Sequence, residues 1–412
     1  MKLNLFQWIK ISIVNLLLVT VLGVCLRYKI LLPFPIVDQK HLLHAHSHFA
    51  FTGWITQTLM VLIVTFLNKK LNKDLFNKYQ FLLKLNLVAA WGMLVSFVLE
   101  GYGTISITFS TLSIFIGYLF TIIVWKDFNK IKTNKISIWW FKVALLSNVL
   151  SSLGAFALAF LMANKIVHQN FYLLAQYFFL HFQYNGWFFF ACMGLITSHY
   201  FESFIDEFKL KLVFYLFSFA LIPAFFLSAL WMKLPLWIYI IIVLAAIAQC
   251  IAWIFLIYHL KCNYLKIKKN ISGKLIRNLL VMVAVATTIK ILLQLVSIHP
   301  SLSDFAFGFR PIVIGYLHLV LLGIISLSIL VYILTFEIFS QNRLIKKAVL
   351  FFTFFIIVNE VLLMLQGLSA LSYTIIPYIN EALLVTAFFL FVSTLLLLIG
   401  LFKTKVISII NH

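Results

Sequence analysis

Windows of roughly 20 apolar residues, the length of helix that crosses ~30 Å of hydrocarbon at 1.5 Å per residue, can be laid along this chain twelve times. No other feature limits the fold as strongly. The windows run over about 5–26, 41–67, 79–100, 104–125, 138–163, 169–198, 209–230, 236–260, 276–298, 311–336, 346–367 and 379–402. The expected fold is therefore all-α, a polytopic membrane protein of 12 transmembrane helices. Composition agrees: of 412 residues 64% are hydrophobic and 10% charged, where a soluble chain has about a quarter charged. A mean hydropathy of +1.08 leaves no room for a separate water-soluble domain. A nuclear, nucleic-acid or secreted role is excluded, and 1–412 reads as one transmembrane domain.

The net charge of +21 orients such a chain rather than attracting a polyanion. Lys and Arg fall in alternate connections, at Lys69 to Lys78, Lys126 to Lys135, Lys209 and Lys211, Lys261 to Arg277, Arg343 to Lys347, and near both termini. With Lys84 and Lys142, 25 lie on that side and six on the other (Arg27, Lys29, Lys40, Lys165, Lys233, Arg310), and Lys290 falls within a span, which accounts for all 32. The basic side is the cytoplasmic one, so both termini are expected inside and even-numbered spans start on the outer face. The first apolar run exceeds a signal-peptide core and no small-residue cleavage site follows it, so it reads as a retained helix. Cys25, Cys192, Cys250 and Cys262 show no C-x-x-C spacing, which points to packing rather than a disulfide framework or thiolate metal site.

Histidines are costly in a bilayer and tend to mark sites. His199, His259 and His412 are expected inside, whereas His41, His44, His46, His48, His168, His181, His299 and His318 fall in the outer half. Span 2 opens with His41-Leu-Leu-His44-Ala-His46-Ser-His48. At about 100° per residue, His41, His44 and His48 share one face and His46 looks the other way. His44 and His48, at i and i+4, have the spacing at which two imidazoles chelate one ion. The bland alternative is a polar cap at the interface.

An internal repeat is sharper. His48-Phe-Ala-Phe-Thr-Gly53-Trp54 returns as His181-Phe-Gln-Tyr-Asn-Gly186-Trp187, and span 10 holds His318-Leu-Val-Leu-Leu-Gly323. The common element is His-x4-Gly, each time in the second helix of a quartet, so the chain divides into three pseudo-symmetric arcs of four helices, about 1–130, 131–262 and 263–412. Each His lies on the order of 10–18 Å below the outer edge. A Gly five residues after each His leaves room either for a flat, bulky group or for a close helix neighbour.

Twelve helices in three arcs, with His on helices 2, 6 and 10, resemble subunit I of the haem-copper oxidase superfamily. The likeness covers the topology but only short motifs. It implies that His318 is one axial ligand of a low-spin b-type haem, that His48 or else His46 is the other, that His181 stands where the first copper ligand would be, and that Arg310 is placed to hold haem propionates. Two departures matter. Tyr316 occupies the position of the active-site haem ligand, and span 7, Lys211 to Leu230, holds no His. A standard oxygen-reducing centre cannot be assembled, although His44, His46, His48 and His181 could form a different copper site. The chain is also similar in kind to the NnrS family of haem and copper membrane proteins, linked to nitric oxide handling.

The resemblance implies electron transfer, or binding or reduction of nitric oxide or oxygen, at a bacterial inner membrane. The implied partners are lipid, a small gas, and an electron donor on the outer side or a quinol. Within the spans, Lys290 and Glu360 sit at similar depth, with Gln294 and Asn359 beside them, and are expected to pair or to flank a hydrated proton path. Glu100, Asp304 and Glu381 read as outer-rim residues. The alternative is a twelve-helix secondary transporter, although such folds use six-helix or inverted repeats and broken helices. A membrane transferase using the His cluster as base lacks a nucleophile or paired carboxylates nearby.

Overall fold

A computed structural model describes residues 3–133, 135–232, 234–271, 273–299 and 310–404; Lys233, Asp304 and His412 lie outside them. The long helical stretches are α1 (Leu5–Leu31), α2 (Gln39–Leu71), α3 (Phe76–Glu100), α4 (Thr104–Phe128), α5 (Ile136–Ala163), α6 (169–199), α7 (Glu207–Leu221), α8 (Leu236–Cys262), α9 (Lys274–Val296), α10 (Arg310–Ile333), α11 (Arg343–Leu371) and α12 (Ile379–Lys403). No strand occurs among the described residues.

Ten of these helices are long and apolar enough to cross a membrane, which makes the chain a multi-pass membrane protein by length and hydropathy. The other two explain the difference from the expected twelve. α7 ends at Leu221 and bends by 45° into a 3-10 segment, Pro223–Ala229, and counts as an eleventh span only if the bent pair is one crossing. Pro223 has no N–H and its ring disfavours an unbroken helix through the preceding turn. α6 is helical throughout, but Gln169, Gln176, His181, Gln183 and Asn185 lower its hydropathy.

Helix starts follow side-chain capping. Asn4 and Gln7 form a reciprocal capping box on α1, Asp38 accepts from the N–H groups of Lys40 and His41 at the start of α2, and Asp206 caps α7. Such caps satisfy donors that a helix leaves orphaned.

The chain forms two compact units. Unit 1 comprises Met1–Phe120, Ser326–Gln366 and Ile375–His412, and unit 2 comprises Thr121–Ile325 and Gly367–Thr374. In unit 1, α1 packs against α12 and α2, and α2 against α3. Buried Thr20 and Thr394 join α1 to α12 by a hydroxyl–hydroxyl bond of 2.9 Å. In unit 2, α5 packs on α6, and α8 on α7 and α9.

Candidate functional site

Each of the three His-x4-Gly motifs leads into a π-helical turn: Ala50–Thr56 after His48, Phe182–Phe188 after His181, and Leu319–Ser326 after His318. A π turn carries i→i+5 bonds, is rare, and is concentrated at functional sites. In α2 the N–H of Gln57 goes to the carbonyls of Thr52 and Trp54 and bypasses Gly53. The stranded Gly53 carbonyl is taken by Asn15 Nδ2 of α1 at 2.6 Å. Trp91 Nε1 in turn donates to Asn15 Oδ1 at 3.1 Å, and Asn86 Nδ2 donates to Gln57 Oε1 at 2.7 Å. In α6 the N–H of Phe189 likewise reaches Gly186 and Tyr184 and bypasses Asn185. There Gln183 Nε2 donates to Asn148 Oδ1 and Ser151 Oγ of α5, at 3.0 and 2.8 Å. Buried polar side chains in these helices thus answer backbone groups and one another, as the absence of water in lipid demands.

The glycines are packing positions. A Cβ at Gly186 would come within 2.5 Å of Ser147 Cβ, and one at Gly53 within 2.7 Å of the Phe49 ring. At Gly323 the nearest atom would be Ala286 Cβ at 3.4 Å.

The three histidines have different surroundings. His181 is 1% exposed. Its Nε2 lies 2.8 Å from the Leu221 carbonyl and its Nδ1 3.1 Å from Asn185 Nδ2. A carbonyl only accepts, so the ring donates from Nε2 and accepts at Nδ1. The bend of α7 creates this role: Phe225 N–H turns back to Ile222 rather than Leu221, and His181 satisfies the carbonyl left over. To ligate a metal it would have to release one of these partners.

His318 is half-buried, and its Nδ1 lies 2.8 Å from the Ile314 carbonyl one turn earlier on α10. Nδ1 therefore carries the proton and Nε2 the lone pair, the tautomer usual in metal-bound histidine. Tyr316 packs edge-on against Tyr184 of α6, ring centroids 6.2 Å apart. Arg310 is exposed at the start of α10.

His41, His44 and His48 all turn toward the end of α3, and His46 turns toward α1, where a Cβ at Gly23 would lie 3.6 Å from its ring. His48 stacks on Phe97 at 4.3 Å and its Nε2 lies 3.1 Å from the Tyr102 hydroxyl. His44 meets the same tyrosine edge-on at 4.5 Å. His41 lies against Gly101, whose positive φ of 63° suits glycine. Tyr102 is thus a member of this cluster that sequence reasoning did not select; its position directly after α3 was the available signal. In the connections, the His41 and Lys40 N–H groups hold the Asp38 carboxyl below its ordinary range, the His41 bond being the stronger cause. Burial pushes the Tyr102 phenol up. Glu100 caps α4 by accepting from Ser106 N–H at 2.7 Å.

Among the described residues no three His, Cys, Asp or Glu side chains gather so that they could hold a metal ion. The set His44, His46, His48 and His181 does not fit a copper centre, since His46 faces away from His44 and His48 and both ring nitrogens of His181 are engaged.

Lys290 is buried in unit 2 with its ammonium 5.6 Å above the Phe189 ring. Gln294 is buried one turn further along α9, and its Oε1 has no hydrogen-bond partner. Glu360, in unit 1, accepts from Asn359 Nδ2 at 3.1 Å. No family model matches the chain, and no curated protein matches it.

Proposed function

We propose that this chain is a haem-binding membrane protein resembling subunit I of the haem-copper oxidases, with one b-type haem ligated by His318 and His48. It would act in electron transfer, or in binding or reduction of nitric oxide or oxygen, without a standard oxygen-reducing centre. The observation that carries the reading is the bond from His318 Nδ1 to the Ile314 carbonyl, which presets the ligating tautomer. The repeat of His, π turn and Gly in α2, α6 and α10 supports a common origin for the three helices. The choice of His48 as the second ligand rests on the register of that repeat. It requires Tyr102 to yield Nε2 of His48; His46 is the other candidate.

Bound haem would supply one-electron redox chemistry. The chain would supply the orientation of His318 and, through Arg310, a cation for the propionates. We do not extend the proposal to copper. Twelve crossings in three arcs, a bacterial inner membrane and cytoplasmic termini belong to the same proposal, on the distribution of Lys and Arg. A visible spectrum with iron analysis of detergent-purified protein from a haem-competent host tests it. A Soret band that is lost in His318→Ala is expected, and purified, folded protein without iron or a Soret band would refute it.

One observation favours a second reading, secondary transport: the 45° break between α7 and Pro223–Ala229, since transporters bind substrate at interrupted helices. Iron-free protein whose bent segment becomes protected from hydrogen exchange by a small solute would favour that reading instead.

A further inference from the structure

Lys290 is a buried ammonium of unit 2, 5% exposed, that no carboxylate among the described residues of that unit neutralises. The acidic residues of unit 2 are Asp127, Glu202, Asp206, Glu207 and Asp304. Asp127 pairs with Lys130 at 2.7 Å, Glu202 accepts from Ser137 N–H at 2.9 Å, Asp206 caps α7, Glu207 pairs with Lys211 at 2.9 Å, and Asp304 lies outside the described residues. His181 is close enough to Lys290 to interact electrostatically, but its only accepting nitrogen is taken by Asn185. Among the described residues of unit 2, the group that meets the ammonium is the face of Phe189. One turn along the same helix the side-chain oxygen of Gln294, a residue 8% exposed, has no donor.

A buried ammonium needs acceptors, and the unpaired Gln294 oxygen needs a donor. An anion would serve the first, and the second only with the Gln294 amide turned over. Water serves both, and serves Gln294 equally well if its amide is turned over. Lys290 is also not a snorkelling lysine of the ordinary kind, whose charged head reaches the interface, because its side chain is enclosed. Val296 at the end of α9 lies six positions further on, roughly 9 Å at the α-helical rise. A file of a few water molecules spans that distance.

We propose that Lys290 and Gln294 form a hydrated intramembrane site, filled by water entering along α9 from its Val296 end, through which Lys290 exchanges protons with the adjacent aqueous phase. Neither haem nor Glu360 is required for it. The site is tested with Lys290→Cys, Gln294→Cys and Ile291→Cys, each in the full chain reconstituted in vesicles and treated with a small, charged thiosulfonate, with labelling read by peptide mass. Ile291 is 3% exposed on the same turn and sets the dry baseline. Both site cysteines should react at least about tenfold faster than the one at position 291, since only an aqueous thiolate reacts. Equal rates at the three positions in folded protein would overturn the proposal. Should the lysine variant not fold, the unaltered protein decides: reductive methylation with formaldehyde and a borane should modify Lys290. Its complete protection, with Lys165 in the connection between α5 and α6 fully modified, would equally overturn it. Because neither measurement uses haem, a negative result here leaves the spectral test untouched.

Discussion

α6 and α10 carry the same His-x4-Gly spacing and the same π turn, yet the two histidines are held in opposite ways. His181 is enclosed, and both its nitrogens are committed to protein groups on α6 and α7. His318 is half-buried, and its Nδ1 is bonded to the Ile314 carbonyl of its own helix. The motif therefore specifies a local backbone feature, and the surrounding helices decide what the imidazole does. In α6 a broken neighbour consumes it. In α10 the ring donates from Nδ1 to its own helix.

Substitutions that separate the two copies should break or sharpen this contrast. The largest effect is expected from His318→Ala, which should abolish the haem spectrum while the chain remains folded, whereas His181→Ala should keep the spectrum. An intact low-spin spectrum in His318→Ala would remove the proposed difference. Thermal unfolding in detergent should show the reverse order. His181→Ala leaves the Leu221 carbonyl and Asn185 without their partner, at about 1–3 kcal/mol for each buried group left unpaired, and His318→Ala should cost less. Next come the glycines. Gly186→Ala drives a methyl into Ser147 and should destabilise by about 1–3 kcal/mol, while Gly323→Ala, with 3.4 Å available, should stay within about 0.5 kcal/mol of the parent. Equal melting temperatures for the two would show that α5 and α6 do not pack as closely as described. The smallest effect concerns the third copy. Tyr102→Phe removes one hydrogen bond to His48, worth about 1 kcal/mol, and should leave haem content unchanged or raised; a loss of haem would mean that Tyr102 supports the ligand.

The repeat and the division of the four α2 histidines between two faces were legible, because the first depends on spacing alone and the second on α-helical periodicity that holds up to Phe49. The helical class followed from the apolar windows. The role of His181 was not legible. It depends on a carbonyl freed by a bend at Pro223, some forty residues away, which no local pattern announces. The Asn15–Gly53 bond was hidden for the same reason, since an unbroken α-helix would offer no spare carbonyl there. His46 and His48, near in sequence, turn toward different helices, α1 and α3.

The π turns also carry a consequence for sequence change. A π turn accommodates one residue more than the α-helical turn it replaces, so deleting a single residue between Ala50 and Thr56 should restore regular α geometry without breaking the span. Because the turn absorbs that extra residue, Gln57 to Leu71 would keep their orientation relative to the histidine-bearing half. What the deletion would remove is the spare Gly53 carbonyl and with it the bond from Asn15. These three helices are therefore expected to tolerate a single deletion within the turn better than α1 or α12, which lack such turns and where one deletion turns every later residue by about 100°.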